Sequence, residues 1–173
     1  MNRKFLAIFS IALIVISAFL YNHFSGTTVT EGVYSQLSEL QGFQKKQVEG
    51  KYFVLHFWAK WCAPCAEEIP HLVTFAKNAQ EKLPNLQVLA VSLDESIEVS
   101  KQILPEQGNG LPSNFLLFLD SAHSLAEAMG SFQYPETYFY DPQGKVIEKW
   151  VGPQKWDQPE VMEFFVRKVA SGG

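Results

Sequence analysis

Short apolar runs and amphipathic stretches alternate along most of this chain. Residues 51–58 (KYFVLHFW) form a nearly unbroken apolar run of strand length and predict a buried strand. Residues 63–82 follow, with Ile69, Leu72, Val73, Ala76 and Leu83 at helical spacing, which predicts a helix with one face on a sheet. Pro70 inside that helix removes a backbone donor and predicts a kink. Residues 86–93 (LQVLAVSL) predict a second strand, parallel to the first through a right-handed crossover. Residues 95–104 then read as helix, 105–113 (PEQGNGLPS) as loop, 115–119 as a third strand and 123–129 as a short helix ended by Gly130. Residues 137–140 and 145–151 flank Asp141-Pro142-Gln143-Gly144, whose Asp, Pro and Gly stand where a type I turn favours them, so an antiparallel hairpin is expected. A last helix should open with Asp157 as N-cap and Glu160 three residues on, carrying Val161, Phe164, Phe165 and Val169 on one face. This alternation is the pattern of an α/β layer fold.

The two ends of the pattern differ in kind. Residues 5–21 (FLAIFSIALIVISAFLY) are uncharged and follow Arg3 and Lys4. A helix crosses the hydrocarbon layer with about 17–25 residues, and a basic flank stays in the cytoplasm. A cleaved leader would carry an apolar core of about 7–15 residues before a small-x-small site, and Ile16-Ser17-Ala18 puts a bulky residue where a small one is preferred. The expectation is an uncleaved single-pass anchor, with 1–21 as cytoplasmic flank and transmembrane signal anchor, 22–32 (NHFSGTTVTEG) as polar linker and 33–173 as the folded domain. Either reading of the leader exports that domain. Residues 33–50 carry little pattern of their own.

Composition narrows the function. A chain of 173 residues has room for one domain and a short appendage, and 47% hydrophobic with 14% aromatic residues excludes general disorder. A net charge of -4, with no basic stripe interleaved with aromatics, excludes a nucleic-acid binder. The two cysteines, Cys62 and Cys65, cannot make a stapling framework. They fall where a buried strand gives way to a helix, and the unpaired amides and dipole of a helix start favour an anion. A thiol there drops from about 8.5 toward 7 or below, which makes it a nucleophile at neutral pH. Cys65, one turn along, can attack a mixed disulfide on Cys62 and release the reduced partner. Cys62 is therefore the expected nucleophile and Cys65 the resolving thiol, with Pro64 tolerated in the first turn. A static disulfide closing so small a loop would contribute little, and a zinc site would need two further ligands. The nearby histidines are badly placed for zinc: His56 lies inside the strand and His71 about two turns past Cys62.

The segment 57–65 (FWAKWCAPC) resembles the thioredoxin active site, and Pro70 matches the kinking proline of that family's first active-site helix. Tyr134-Pro135-Glu136-Thr137 resembles its cis-proline loop. Only about 5–6% of X-Pro bonds are cis, so composition alone predicts trans for Pro135, whereas the resemblance implies cis. It also implies that Pro135 packs beside the cysteine pair and that Tyr134 pairs with a bound substrate backbone. The implied fold is a thioredoxin-like three-layer α/β sandwich, a central mixed sheet flanked by helices, with an N-terminal transmembrane helix. The anchor, the insertion between the second and third strands, and the Pro-Glu-Thr loop followed by DPQGKV resemble the TlpA, ResA and CcmG (DsbE) group. That resemblance implies a thiol-disulfide oxidoreductase anchored in the cytoplasmic membrane, its catalytic domain on the periplasmic or extracytoplasmic side. Its implied partners are disulfide-containing exported proteins, with electrons from an integral-membrane thiol donor and without a cofactor or metal. Several members of the group reduce apocytochrome c before haem attachment.

Glu68 occupies the place of an acid that this group carries three residues after the second cysteine, implying a role in tuning the thiols or shuttling a proton. The alternative is a solvated acid near a helix start. Glu67 points about 100° away and should be solvated. His56 stands where thioredoxin has a buried Asp, and is either a hydrogen-bonded core histidine or a proton carrier. Trp58 is expected in the core, Trp61 exposed beside the thiolate as part of the substrate surface, and Trp150 and Trp156 as packing. Two other functions stay open. One is a disulfide oxidant, since potentials in such proteins span about -270 to -120 mV. The other is a copper-handling protein that presents the reduced cysteines to Cu(I) during oxidase assembly. That role needs a third soft ligand, for which His71 and Met129 have no evident approach.

Overall fold

The computed structural model describes residues 14–17, 32–105 and 110–172. Helix α1 covers 32–37, strand β1 Tyr52–Trp58, helix α2 Ala63–Lys82 and strand β2 Leu86–Ser92. Helix α3 (Ile97–Lys101), β3 (Phe115–Leu119), α4 (Ser124–Ala128), β4 (Glu136–Tyr140), β5 (Val146–Val151) and α5 (Pro159–Ala170) complete the chain. The expected anchor at 5–21 and linker at 22–32 lie outside the described residues, apart from an exposed helical turn at 14–17 and Gly32. Among the described residues no helix is long and apolar enough to cross a membrane.

The five strands form one mixed sheet in the order β3-β2-β1-β4-β5. β1 pairs in parallel with β2, as does β2 with β3, while β4 lies antiparallel to both β1 and β5. The central place of β1 explains its unbroken apolar run, because both its faces are covered. On one face Tyr52, His56 and Phe139 meet α2, α5 and the segment leading into α5, through Tyr52 Oη to the Val169 carbonyl, His56 to Glu68 and Phe139 to Phe165. On the other, Phe53 stacks on Tyr140 with ring centres 4.5 Å apart and meets Tyr34 of α1, while Tyr138 donates to the Met129 carbonyl just past α4. These contacts make the three-layer arrangement.

Three sequence expectations change. The stretch 33–50 is not featureless: Val33, Tyr34, Leu37, Leu40 and Val48 are buried, in α1 and around the 3₁₀ turn Lys45–Gln47. Their spacing carries little signal because the segment is short and its partners are distant in sequence. One of those partners is Gly144, whose positive φ of 77° suits the hairpin turn and whose missing side chain leaves room for Val33 Cγ1, 3.0 Å from where a Cβ would stand. The helix expected over 95–104 is cut to Ile97–Lys101, capped by the Ser96 hydroxyl on the Val99 amide. The last helix has Gln158, not Asp157, as N-cap, because Pro159 takes the first helical position. Within α2 the Thr74 hydroxyl donates to the Pro70 carbonyl at 3.0 Å.

The hairpin also sets an alkaline limit on stability. Asp141 Oδ1 accepts from the Gln143 and Lys145 amides and holds the turn. On β5, Lys149 pairs with the buried Glu136 of β4 and lies 4.8 Å above the Tyr138 ring. Hydrogen bonding to Glu136, then to Tyr138, raises Lys149 above its ordinary 10.5, while burial raises Tyr140 far above the ordinary 10.0. The folded chain therefore holds both protons more tightly than the unfolded one. That stability is complete below pH 10.0 and is lost as pH climbs past 10.5 toward the folded values. Tyr140→Phe should shift the midpoint of alkaline unfolding upward, read by far-UV circular dichroism. An unchanged midpoint would assign the alkaline limb to other groups.

Candidate active site

β1 ends at Trp58 and delivers the chain through Ala59 to Trp61 onto the start of α2, where Cys62 is the N-cap in extended conformation. The turn before the cysteines is held from below. The carboxylate of buried Asp94, just past β2, accepts the Lys60 amide at 2.9 and 3.2 Å, and the Ser92 hydroxyl donates to it at 2.8 Å. Ser100 of α3 in turn donates to Ser92 at 2.7 Å. Nothing in the sequence flagged Asp94; an acid one residue beyond a buried strand was its only sign.

Cys62 and Cys65 are joined as a disulfide, with Cα atoms 5.2 Å apart. They differ in access: Cys62 keeps 8% of its surface and Cys65 none. Cys62 Sγ lies 3.6 Å from the Tyr134 carbonyl, and the Tyr134–Pro135 bond is cis, so the distant loop does stand beside the pair. Trp61 is 59% exposed, and its ring meets Tyr134 edge-on at 6.1 Å and His123 face-on at 6.5 Å. Trp58 is fully buried. His123, not noticed in the sequence as part of the site, takes a left-handed backbone with φ 59° and places Nε2 3.1 Å from the Leu93 carbonyl. Phe132, three residues before Pro135, is 71% exposed. Trp61 and Tyr134 give the neighbourhood of Cys62 an aromatic rim.

Glu68 is not a solvated acid. It is 5% exposed, its Oε2 accepts the Gln154 amide at 2.6 Å, and its Oε1 lies 3.1 Å from Nε2 of the fully buried His56. His56 Nδ1 stands 2.9 Å from the Thr137 hydroxyl. Glu67, by contrast, is exposed. Outside Glu68 runs a groove of about 330 Å³, lined by Pro64, Glu67, His71, Lys155 and Asp157 among others. His71 faces Asp157 across it at 3.6 Å. Met129 is partly buried against the core, its carbonyl engaged by Tyr138. No cluster of three or more His, Cys, Asp or Glu residues placed to hold a metal occurs among the described residues.

This arrangement can carry out thiol-disulfide exchange: an accessible sulfur at a helix start, a buried second sulfur one turn away, and a buried carboxyl one turn further along the helix. Residues 31–149 match the AhpC/TSA family. Thiol-disulfide oxidoreductase ResA of Oceanobacillus iheyensis is 28% identical over 173 residues, covering 92% of this chain and 87% of that one. ResA of Bacillus subtilis is 26% identical over 152 residues, covering 82% of each chain. Among solved structures, StoA from Bacillus subtilis superposes with a TM-score of 0.56 at 22% identity, over 68% of this chain and 84% of that one. A thiol:disulfide interchange protein of the thioredoxin family from Chlorobium tepidum gives 0.55 at 24% identity, over 75% and 85%.

Proposed function

The chain belongs to the AhpC/TSA family and is a thiol-disulfide oxidoreductase of thioredoxin-like fold, and from that premise we propose that it reduces disulfides in exported proteins. The observation that carries this reading is the unequal access of the two sulfurs, with Cys62 at the helix start beside the Tyr134 carbonyl and Cys65 fully enclosed. Reduced Cys62, favoured as thiolate by the helix start, attacks one sulfur of a substrate disulfide and expels the other as a thiolate. Cys65 gives up its proton, attacks Cys62 Sγ and expels the second substrate thiolate. Two electrons pass to the substrate, two protons complete its thiols, and the pair is left as the disulfide seen here. Glu68, three residues on and on the same helix face, takes the Cys65 proton. Trp61, Tyr134 and Pro135 contact the substrate chain, Tyr134 through its backbone.

The remaining steps rest on the sequence. The folded domain, 33–173, hangs by the 22–32 linker from the anchor at 1–21, on the periplasmic or extracytoplasmic side of the cytoplasmic membrane. An integral-membrane thiol carrier returns the electrons, and the resemblance to the TlpA, ResA and CcmG group makes apocytochrome c a fitting substrate.

Direction is tested by the redox state of the pair in cells together with its reduction potential. The pair should be found mainly reduced, with a potential toward the thioredoxin end near about -270 mV. A pair held mainly oxidised, at a potential near the roughly -120 mV of a strong oxidant, would show that it donates disulfides instead.

A further inference from the structure

The buried acid behind the cysteines needs an explanation of its own. An ionised carboxyl removed from water is costly unless its oxygens are partnered. One oxygen of Glu68 has the Gln154 amide; the other has His56 Nε2, in ion-pair range but not aligned as a full hydrogen bond. His56 is fixed from its far side by the Thr137 hydroxyl, two residues past Pro135, and from a third by the edge of the Trp156 ring, 6.0 Å away. In the tautomer in which the Thr137 hydroxyl donates to Nδ1, Nε2 carries the hydrogen on the side that faces the carboxyl oxygen 3.1 Å away. Beyond Glu68 the groove opens toward solvent and gathers the polar side chains of Glu67, His71, Lys155 and Asp157.

We propose that His56 is a positioning residue that keeps the Glu68 carboxyl turned inward, where it accepts the Cys65 proton, and prevents it from swinging out to the groove. This rests on the reductase cycle above for the identity of the step. In that step the Cys65 S–H bond breaks, its proton goes to a Glu68 oxygen, and its sulfur electron pair forms the bond to Cys62 Sγ while the mixed disulfide breaks and its electrons leave with the substrate sulfur. The groups that face Glu68 are His56 from β1, the Gln154 amide, and on the groove side Glu67, His71, Lys155 and Asp157, with Cys65 one turn earlier on its own helix. Of these side chains, His56 is the buried one set against the Oε1 oxygen, at 3.1 Å.

The test follows the reduced full chain mixed with glutathione disulfide by stopped-flow tryptophan fluorescence, which separates adduct formation on Cys62 from resolution by Cys65. His56→Leu should leave formation unchanged and slow resolution about tenfold at pH 7, a fraction of what a placed proton acceptor contributes. The deficit should shrink at alkaline pH, where Cys65 ionises unaided. Glu68→Gln should slow resolution in the same way, and adding His56→Leu to it should cost nothing more. His56→Gln, whose side-chain amide can stand where Nε2 stands and face the carboxyl, should recover much of the rate and covers the case in which His56→Leu does not fold. Equal slowing at every pH, or additive losses in the double variant, would reduce His56 to core packing. Because glutathione stands in for the natural partner, a chain that resolves as described yet reduces no exported protein loses the reductase reading and keeps this one.

Discussion

Cys62→Ser should abolish turnover, while Cys65→Ser should stall with its partners attached. Loss of the attacking sulfur removes the covalent step itself, and reduction of insulin disulfides should fall by at least about three orders of magnitude. Loss of the enclosed sulfur leaves attack intact and removes only release, so mixed disulfides between Cys62 and exported proteins should accumulate on non-reducing gels. The assignment comes from access: a substrate disulfide reaching in under Trp61 and Tyr134 meets Cys62 first, and Cys65 has no surface to offer. Adducts on Cys62→Ser and none on Cys65→Ser would reverse the two roles.

Phe165→Ala should be the most damaging change away from the cysteines. The Phe165 ring is fully buried and meets Phe75 at 5.0 Å, Phe139 at 4.6 Å, Trp150 at 5.6 Å and Trp156 at 6.2 Å. It therefore joins α5 to α2, to the sheet and to the segment that backs His56. Truncating such a ring costs about 3–5 kcal/mol through lost burial and the cavity left behind. For a chain of this size that is a fall of roughly 6–20 °C in Tm, measured on the oxidised protein by circular dichroism. Val166→Ala, at an exposed position beside it, should stay within about 0.5 kcal/mol of the parent. A Phe165→Ala loss as small as that control would show that the aromatic cluster closes over the gap.

Local signals made the centre of the fold legible. A strand with both faces covered must be apolar throughout, so β1 announced itself, and the 3.6-residue period did the same for α2. Asp141 and Gly144 have a fixed place in a type I turn, which gave away the hairpin. The ends of elements were less clear, because a proline at the first helical position moved the N-cap of α5 by one residue. The α1 region was opaque for a different reason: its apolar residues are meaningful only against Phe53 and the hairpin, which lie far along the chain.

The cysteine pair, its strand-to-helix setting and hence its chemistry were determined by the sequence alone, since each depends on residues within a few positions of Cys62. What lies around the pair was decided by tertiary structure. The Tyr134 carbonyl comes within 3.6 Å of Cys62, and Asp94 seats the turn before it, only because β1 lies between β2 and β4. From the residues alone Glu68 can serve the thiols or sit in solvent, and His56 can be a core histidine or a proton carrier, until α2 packs its inner face on β1 and sets the two 3.1 Å apart. Periodicity can tell which face of an element is buried. It cannot tell which polar groups from different elements will share that interior, and in this protein those shared groups are what surround the reacting sulfurs.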